Sequence, residues 1–249
     1  MKLRIITGRA GAGKSKLVLE TIAAQRFERL QILLVPEHAT HEAELDLCRT
    51  LGDTASRDGE VLSFQSLATR VLSQTGGISD ITLDNGGKIL IMRRALQEVS
   101  SYLTVFSKPS QRPAFLRELV ALADELYAYK IAPSLLLQQV QDIPGAAGDK
   151  LRSTALLFGA YDARLHGGDF DARSKVQKLC DKLPNSDYLC EKDIYIDGFS
   201  YFNRTEEDII AAALKQANSV TVTLLGDDSD PQLFRNGIQQ RERLRRLAK

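Results

Sequence analysis

Short, continuous apolar runs alternate with longer stretches of helical periodicity at both ends of the chain. Residues 3–7 (Leu3-Arg4-Ile5-Ile6-Thr7), 31–35 (ended by Pro36) and 60–64 have the length and content of buried strands. Runs of this kind suit a parallel sheet covered on both faces. Between them, 16–22, 40–51 (closed by Gly52) and 65–72 carry apolar residues at helical spacing. Strand–helix alternation predicts an α/β layer with crossover connections.

From Asp84 to about Cys180 only helical periodicity is present, over 85–105, 112–129, 133–142, 150–165 and 171–183. Breaks fall at Pro109, Pro113, Pro133, Pro144-Gly145 and Gly167-Gly168. The α/β pattern resumes with a strand at 193–197 that carries an acid at its end. A capping-box-like helix start at Thr205-Glu206-Glu207-Asp208 and a strand at 219–225 follow. The tail is rich in Arg, and 239–247 reads as a solvated helix whose apolar partner lies elsewhere. The predicted fold is α/β with a mostly parallel sheet. Residues 1–83 plus 186–249 form it, and a large all-helical region, 84–185, is inserted.

The chemistry concentrates in Gly8-Arg9-Ala10-Gly11-Ala12-Gly13-Lys14-Ser15, a full match to the G-x-x-x-x-G-K-[ST] phosphate loop. Its context is the required one, a strand before and a helix after. The glycines let backbone N–H groups turn towards an anion, and the helix aims its positive dipole end at the same place. Lys14 would reach the β/γ-phosphates of ATP, and the Ser15 hydroxyl would ligate Mg²⁺. Such a fold needs a second strand to present a carboxylate beside the metal, and Asp197 is the candidate. A hydrolytic enzyme usually carries another carboxylate next to it, to orient or deprotonate water. This chain has Gly198 there. Loss of a general base costs on the order of 10²–10⁴ in rate, so nucleotide binding with weak or no hydrolysis is expected. Glu206 and Glu207 fit better as charges at a helix start.

Composition narrows the classes. The 249 residues are 43% hydrophobic and 26% charged, which suits a soluble globular chain of one large or two smaller domains. A net charge of +1 gives a nucleic-acid role no general support, so it would need local basic patches. Cys48, Cys180 and Cys190 form no C-x-x-C pair, and His38 and His41 match no metal-ligand template. Neither a secretory segment nor a run of membrane-spanning length is visible, so a cytoplasmic protein without a membrane partner is expected.

The order of these segments carries a resemblance. The phosphate loop is followed by Leu33-Leu34-Val35-Pro36-Glu37-His38-Ala39-Thr40, then Val61-Leu62-Ser63-Phe64-Gln65-Ser66, Asp197-Gly198-Phe199 and Gly226-Asp227-Asp228. The chain resembles the N-terminal part of the UvrD-like superfamily 1 helicases. It is closer still to the AddB (RexB-like) family of bacterial helicase–nuclease subunits. The resemblance implies a RecA-like domain interrupted by helices. It also implies a DNA-repair and recombination role in processing double-strand ends, with an AddA-like helicase–nuclease subunit as partner. Family members of this kind are regarded as non-motor, which agrees with Gly198. The family's single-strand path would place Glu37, His38, Thr40, Phe64 and Gln65 near DNA. Phe64 either stacks on a base or packs under the helix that follows. Lys88, Arg93 and Arg94 on one inserted helix are weaker phosphate candidates. The family's nuclease domain and iron–sulfur cluster lie downstream and match nothing here.

Two features depart from the helicase pattern. The Gln that closes the third motif is replaced by Gly226-Asp227-Asp228, and no second RecA-like domain follows. A fragment of a longer protein, or a truncated relative, is the expectation. Two other classes stay open at this level: an independent phosphate-loop enzyme such as a small-molecule kinase, and a vestigial module that keeps the loop without using it.

Overall fold

The strand β1 (Leu3–Gly8) leads into α1 (Lys14–Ala24), β2 (Gln31–Leu34), α2 (Thr40–Leu51), the short α3 (Ala55–Asp58), β3 (Gly59–Leu62) and α4 (Phe64–Thr75). Helices α5 (Asn85–Val99), α6 (Pro113–Ala128), α7 (Pro133–Gln139), α8 (Gly145–His166) and α9 (Lys175–Lys182) come next. Alternation then returns with β4 (Asp193–Ile196), α10 (Arg204–Gln216), β5 (Ser219–Leu225) and α11 (Arg235–Leu247). This computed structural model describes residues 2–76, 83–106, 112–140, 142–166 and 174–248. The chain divides into two compact units, Met1–Ile78 with Lys175–Lys249, and Ser79–Ser174. No helix among the described residues is long and apolar enough to cross a membrane.

The first unit is built on a five-stranded sheet in the order β1-β5-β4-β2-β3, with every pairing parallel. Its central strands β2 and β4 are buried at every position. Side chains along a strand alternate between faces, and the core divides accordingly. Leu33, Val35 and Tyr195 pack with Val18 and Ile22 of α1 and with Leu47 and Leu51 of α2. Ile32, Leu34, Ile194 and Ile196 pack on the opposite side with residues of α4, α9, α10 and α11. Helices therefore cover both faces, as an all-parallel sheet requires. Asp193, buried at the start of β4, is satisfied by Asn218 Nδ2 at 2.7 Å and by the Ser219 hydroxyl.

In the second unit the described elements are helices. Met92, Ala95 and Leu96 of α5 meet Leu116, Leu119, Val120 and Ala123 of α6 and Leu157, Phe158, Tyr161 and Leu165 of α8. The spacing places each set on one helical face. Lys88, a sequence-level phosphate candidate, donates instead to both oxygens of Asp124, at 2.7 and 3.0 Å.

Several boundaries differ from the sequence reading. Phe64 does not end a strand; it opens α4, whose N-cap Ser63 accepts the Ser66 N–H at 3.1 Å. The helix α9, assigned from periodicity to the inserted region, packs against α4 in the first unit. The break expected at Pro144-Gly145 separates α7 from α8, but α8 begins at Gly145, five residues before the helix read from periodicity over 150–165. The capping box is made by Asn203 with Glu206 and not from Thr205. The Arg-rich tail is not a solvated helix with a missing partner. In α11 Leu244 is fully buried in the sheet core, and buried Gln240 donates to Glu207 Oε1 at 3.0 Å.

Candidate nucleotide site

Because every strand runs the same way, the segments that follow them gather at one edge of the sheet. Gly8–Ser15 follows β1, Gly226-Asp227 follows β5, Asp197-Gly198 follows β4, Pro36–Thr40 follows β2 and Ser63–Gln65 follows β3. The topology thus lines up the candidate residues of the sheet unit in one row, whereas Lys88, Arg93 and Arg94 lie on α5 of the second unit. The phosphate loop stands at one end, and His38 and Gln65 lie towards the other.

The loop has the backbone of an anion cradle. Gly11 (φ +73°) and Gly13 (φ +82°) occupy the left-handed region, and a Cβ built on either would meet no atom within 4 Å. The concavity is open, and L side chains are excluded by backbone conformation instead of crowding. Gly13 is the N-cap of α1 without a side-chain acceptor, so the first N–H groups of that helix face the loop unpaired by a cap. Lys14 Nζ lies across the loop, donating to the carbonyls of Gly8 at 3.0 Å and Arg9 at 2.8 Å. An ammonium carries three N–H donors, so these two bonds leave one for an anion. Ser15 is exposed at the first turn of α1.

A contact the sequence reading had not assigned fixes this loop from outside. Arg9 Nε donates to Asp227 Oδ2 at 2.5 Å, with a weaker bond from its guanidinium to Ser229 Oγ at 3.4 Å. Asp227 Oδ1 also accepts from the Ser229 N–H at 2.9 Å and hydroxyl at 2.7 Å. The Ser229 N–H, its hydroxyl and then Arg9 hold the Asp227 carboxyl down at about 2. The next residue, Asp228, takes Arg241 of α11 at 2.9 and 3.2 Å. The turn after β5 therefore ties the cradle to α11. The only sequence signal was an acid pair ending a strand, where a helicase motif would carry Gln.

Asp197 follows the last residue of β4, its N–H bonded to Leu34 O at 2.9 Å. One carboxylate oxygen accepts from the Thr223 hydroxyl of the neighbouring strand. β5 lies between β4 and β1, so Asp197 stands two strand spacings, roughly 10 Å, from the loop strand. Gly198 has φ +81°, and a Cβ on it would meet Pro36 Cδ at 3.4 Å. The residue that replaces a catalytic carboxylate is thus also required by the backbone. Neither nearby glutamate is available as a substitute base. Glu206 closes the capping box, accepting the Asn203 N–H at 2.9 Å, and burial pushes its carboxyl up. Glu207 is buried among Gln240, Arg243 and Arg204.

At the far end of the row, His38 and Gln65 are exposed, and the Thr40 hydroxyl donates to Glu37 O at 2.9 Å. Phe64 takes the packing alternative. It is 5% exposed, with its ring 5.3 Å from Phe199, and leaves no face for a base. Among the described residues, Cys48, Cys180 and Cys190 form no disulfide.

The family model described as ADDB, N-terminal, matches residues 5–249. Bacterial proteins named as a subunit of an ATP-dependent helicase/deoxyribonuclease are similar over nearly all of this chain. That of Desulforamulus reducens is 37% identical, with 91% of this chain and 20% of that protein covered. That of Clostridioides difficile is 33% identical (92% and 20%), and that of Geobacillus kaustophilus 32% identical (100% and 23%). The chain spans about a fifth of the length of these relatives.

Proposed function

The chain belongs to the ADDB N-terminal family, and on that premise we propose that it is the nucleotide-holding portion of a helicase–nuclease subunit. It acts in DNA double-strand-end processing and recombinational repair, alongside an AddA-like helicase–nuclease partner. In this reading the sheet unit is a RecA-like phosphate-loop domain, the Ser79–Ser174 unit is its inserted helical subdomain, and the motor belongs to the partner.

The residues present fit Mg²⁺–ATP. Two left-handed glycines keep the loop open, unpaired N–H groups stand at the start of α1, and the Lys14 ammonium lies across the loop on the Gly8 and Arg9 carbonyls. When bound, ATP supplies the phosphates and Mg²⁺ neutralises their charge. The chain's own contribution is orientation. Loop N–H groups and Lys14 bind phosphate oxygens, the Ser15 hydroxyl and Asp197 hold the metal shell, and Arg9, anchored by Asp227, keeps the loop in register. Gly198 offers no carboxylate to take the proton of an attacking water, and Glu206 and Glu207 are engaged elsewhere among the described residues; this carries the non-hydrolytic part of the proposal. His38, Thr40 and Gln65 remain the DNA-facing candidates of the carboxyl edge, without Phe64.

The supporting observation is the convergence of the open cradle, Asp197 and Gly198 on one sheet edge. Equilibrium binding of labelled ATP to wild type and Lys14→Ala, with and without Mg²⁺, tests it. Tight Mg²⁺-dependent binding that falls at least about tenfold in the variant is expected for a phosphate-binding lysine. Equal binding by the two proteins would make the loop vestigial.

A further inference from the structure

The opposite edge of the same sheet has a chemistry that the nucleotide site does not use. Lys2, Arg57, Lys192 and Asn218 each stand one or two residues before a strand, and the turn Arg26-Phe27-Glu28-Arg29 precedes β2. A cleft of about 670 Å³ opens among Lys2, Glu28, Arg29, Lys192, Gln216 and Asn218. Next to it in the turn, Phe27 is 63% exposed at φ +72°, a conformation rare for a bulky L residue. Its ring centroid lies 5.1 Å from the Arg26 guanidinium and 4.9 Å from that of Arg57, which Asp58 orients through a 2.9 Å bond. Glu28 and Glu191 share the rim. With Asp58 engaged by Arg57, and Lys192 held by the Tyr188 carbonyl and ring beside Glu60, the cations Lys2, Arg26 and Arg29 still outnumber these two acids.

We propose that this edge is a second nucleic-acid surface, on which single-stranded DNA stacks a base at Phe27 and lays its phosphates along Arg26, Arg29 and Lys2. The juxtaposition is that of single-strand binders generally, an aromatic platform beside a cationic track. A ring that is 63% exposed beside two guanidiniums favours a base over an acidic protein segment, which would need the charges but not the ring. The surface lies at the opposite sheet edge from the cradle and does not depend on nucleotide binding.

Fluorescence anisotropy with a labelled oligothymidylate tests it on the whole 249-residue chain. Phe27→Leu is expected to weaken binding roughly five- to tenfold. Arg26→Glu/Arg29→Glu is expected to weaken it further and to flatten the log–log salt slope by about 1.4, at ~0.7 per phosphate lost. Both losses are expected to persist in a His38→Ala/Gln65→Ala background, while ATP binding stays at the wild-type level. Failure of wild type to bind the oligonucleotide, or variants that bind it like wild type, would overturn the proposal. A patch that captured a glutamate-rich peptide equally well with and without the Phe27 ring would be a protein-docking site, with the same consequence.

Discussion

Gly198 shows how one residue serves backbone and chemistry together. At φ +81°, with Pro36 close by, any L side chain is strained by about 1–2 kcal/mol. Gly198→Glu would therefore not restore a catalytic base. It is expected to lower stability by about that amount in chemical denaturation, with ATP turnover unchanged from wild type. The Arg9–Asp227 pair is exposed and contributes little stability by itself; its effect is to fix the loop. Asp227→Asn is expected to weaken ATP binding several-fold. The pH dependence follows from a carboxyl lowered to about 2. A depressed acid stabilises the fold above its ordinary value near ~3.9 and loses that contribution as pH falls through the folded value. The difference in melting temperature between wild type and Asp227→Asn is thus expected to be flat from pH 5 to 8 and to shrink below about pH 4.

At the scale of elements, α11 belongs to the sheet unit. A Cβ on Gly237 would lie 1.7 Å from the Leu225 carbonyl oxygen, so the helix meets the end of β5 at backbone distance. Leu244 is fully buried beneath it. Leu244→Ala is expected to cost about 2–5 kcal/mol in urea unfolding; a cost near zero would mean that α11 does not dock. The sequence pattern missed this because α11 is mostly polar and charged, and Gly237, Ile238, Leu244 and Leu247 are too sparse in an Arg-rich helix to mark a buried face. Strands were legible where burial on both faces made the apolar run continuous, as in β2 and β4, and in β5, where valines alternate with buried Thr221 and Thr223. Phe64 was misplaced because its run continues β3 without a break, and only the Ser63 cap marks the change to helix. Asp227 stayed hidden as the partner of Arg9, since the two lie far apart in sequence and meet only through the pairing of β1 with β5.

On the scale of the whole molecule, the sheet unit is assembled from both ends of the chain, and α4 and α9, which border the second unit, pack on one another. Replacing 79–174 by a short Gly/Ser linker is therefore expected to leave a folded protein that binds ATP within about twofold of the full chain, a change under ~0.5 kcal/mol. Loss of binding in a soluble, folded product would place part of the nucleotide site in the second unit. The proposed site holds ATP without cleaving it. The most direct measurement is the chemical state of the bound nucleotide, recovered by chromatography after incubating the chain with Mg²⁺–ATP and single-stranded DNA. One nucleotide per chain is expected, still a triphosphate after prolonged incubation; bound ADP, or phosphate released at a rate that DNA stimulates, would contradict a non-hydrolytic site.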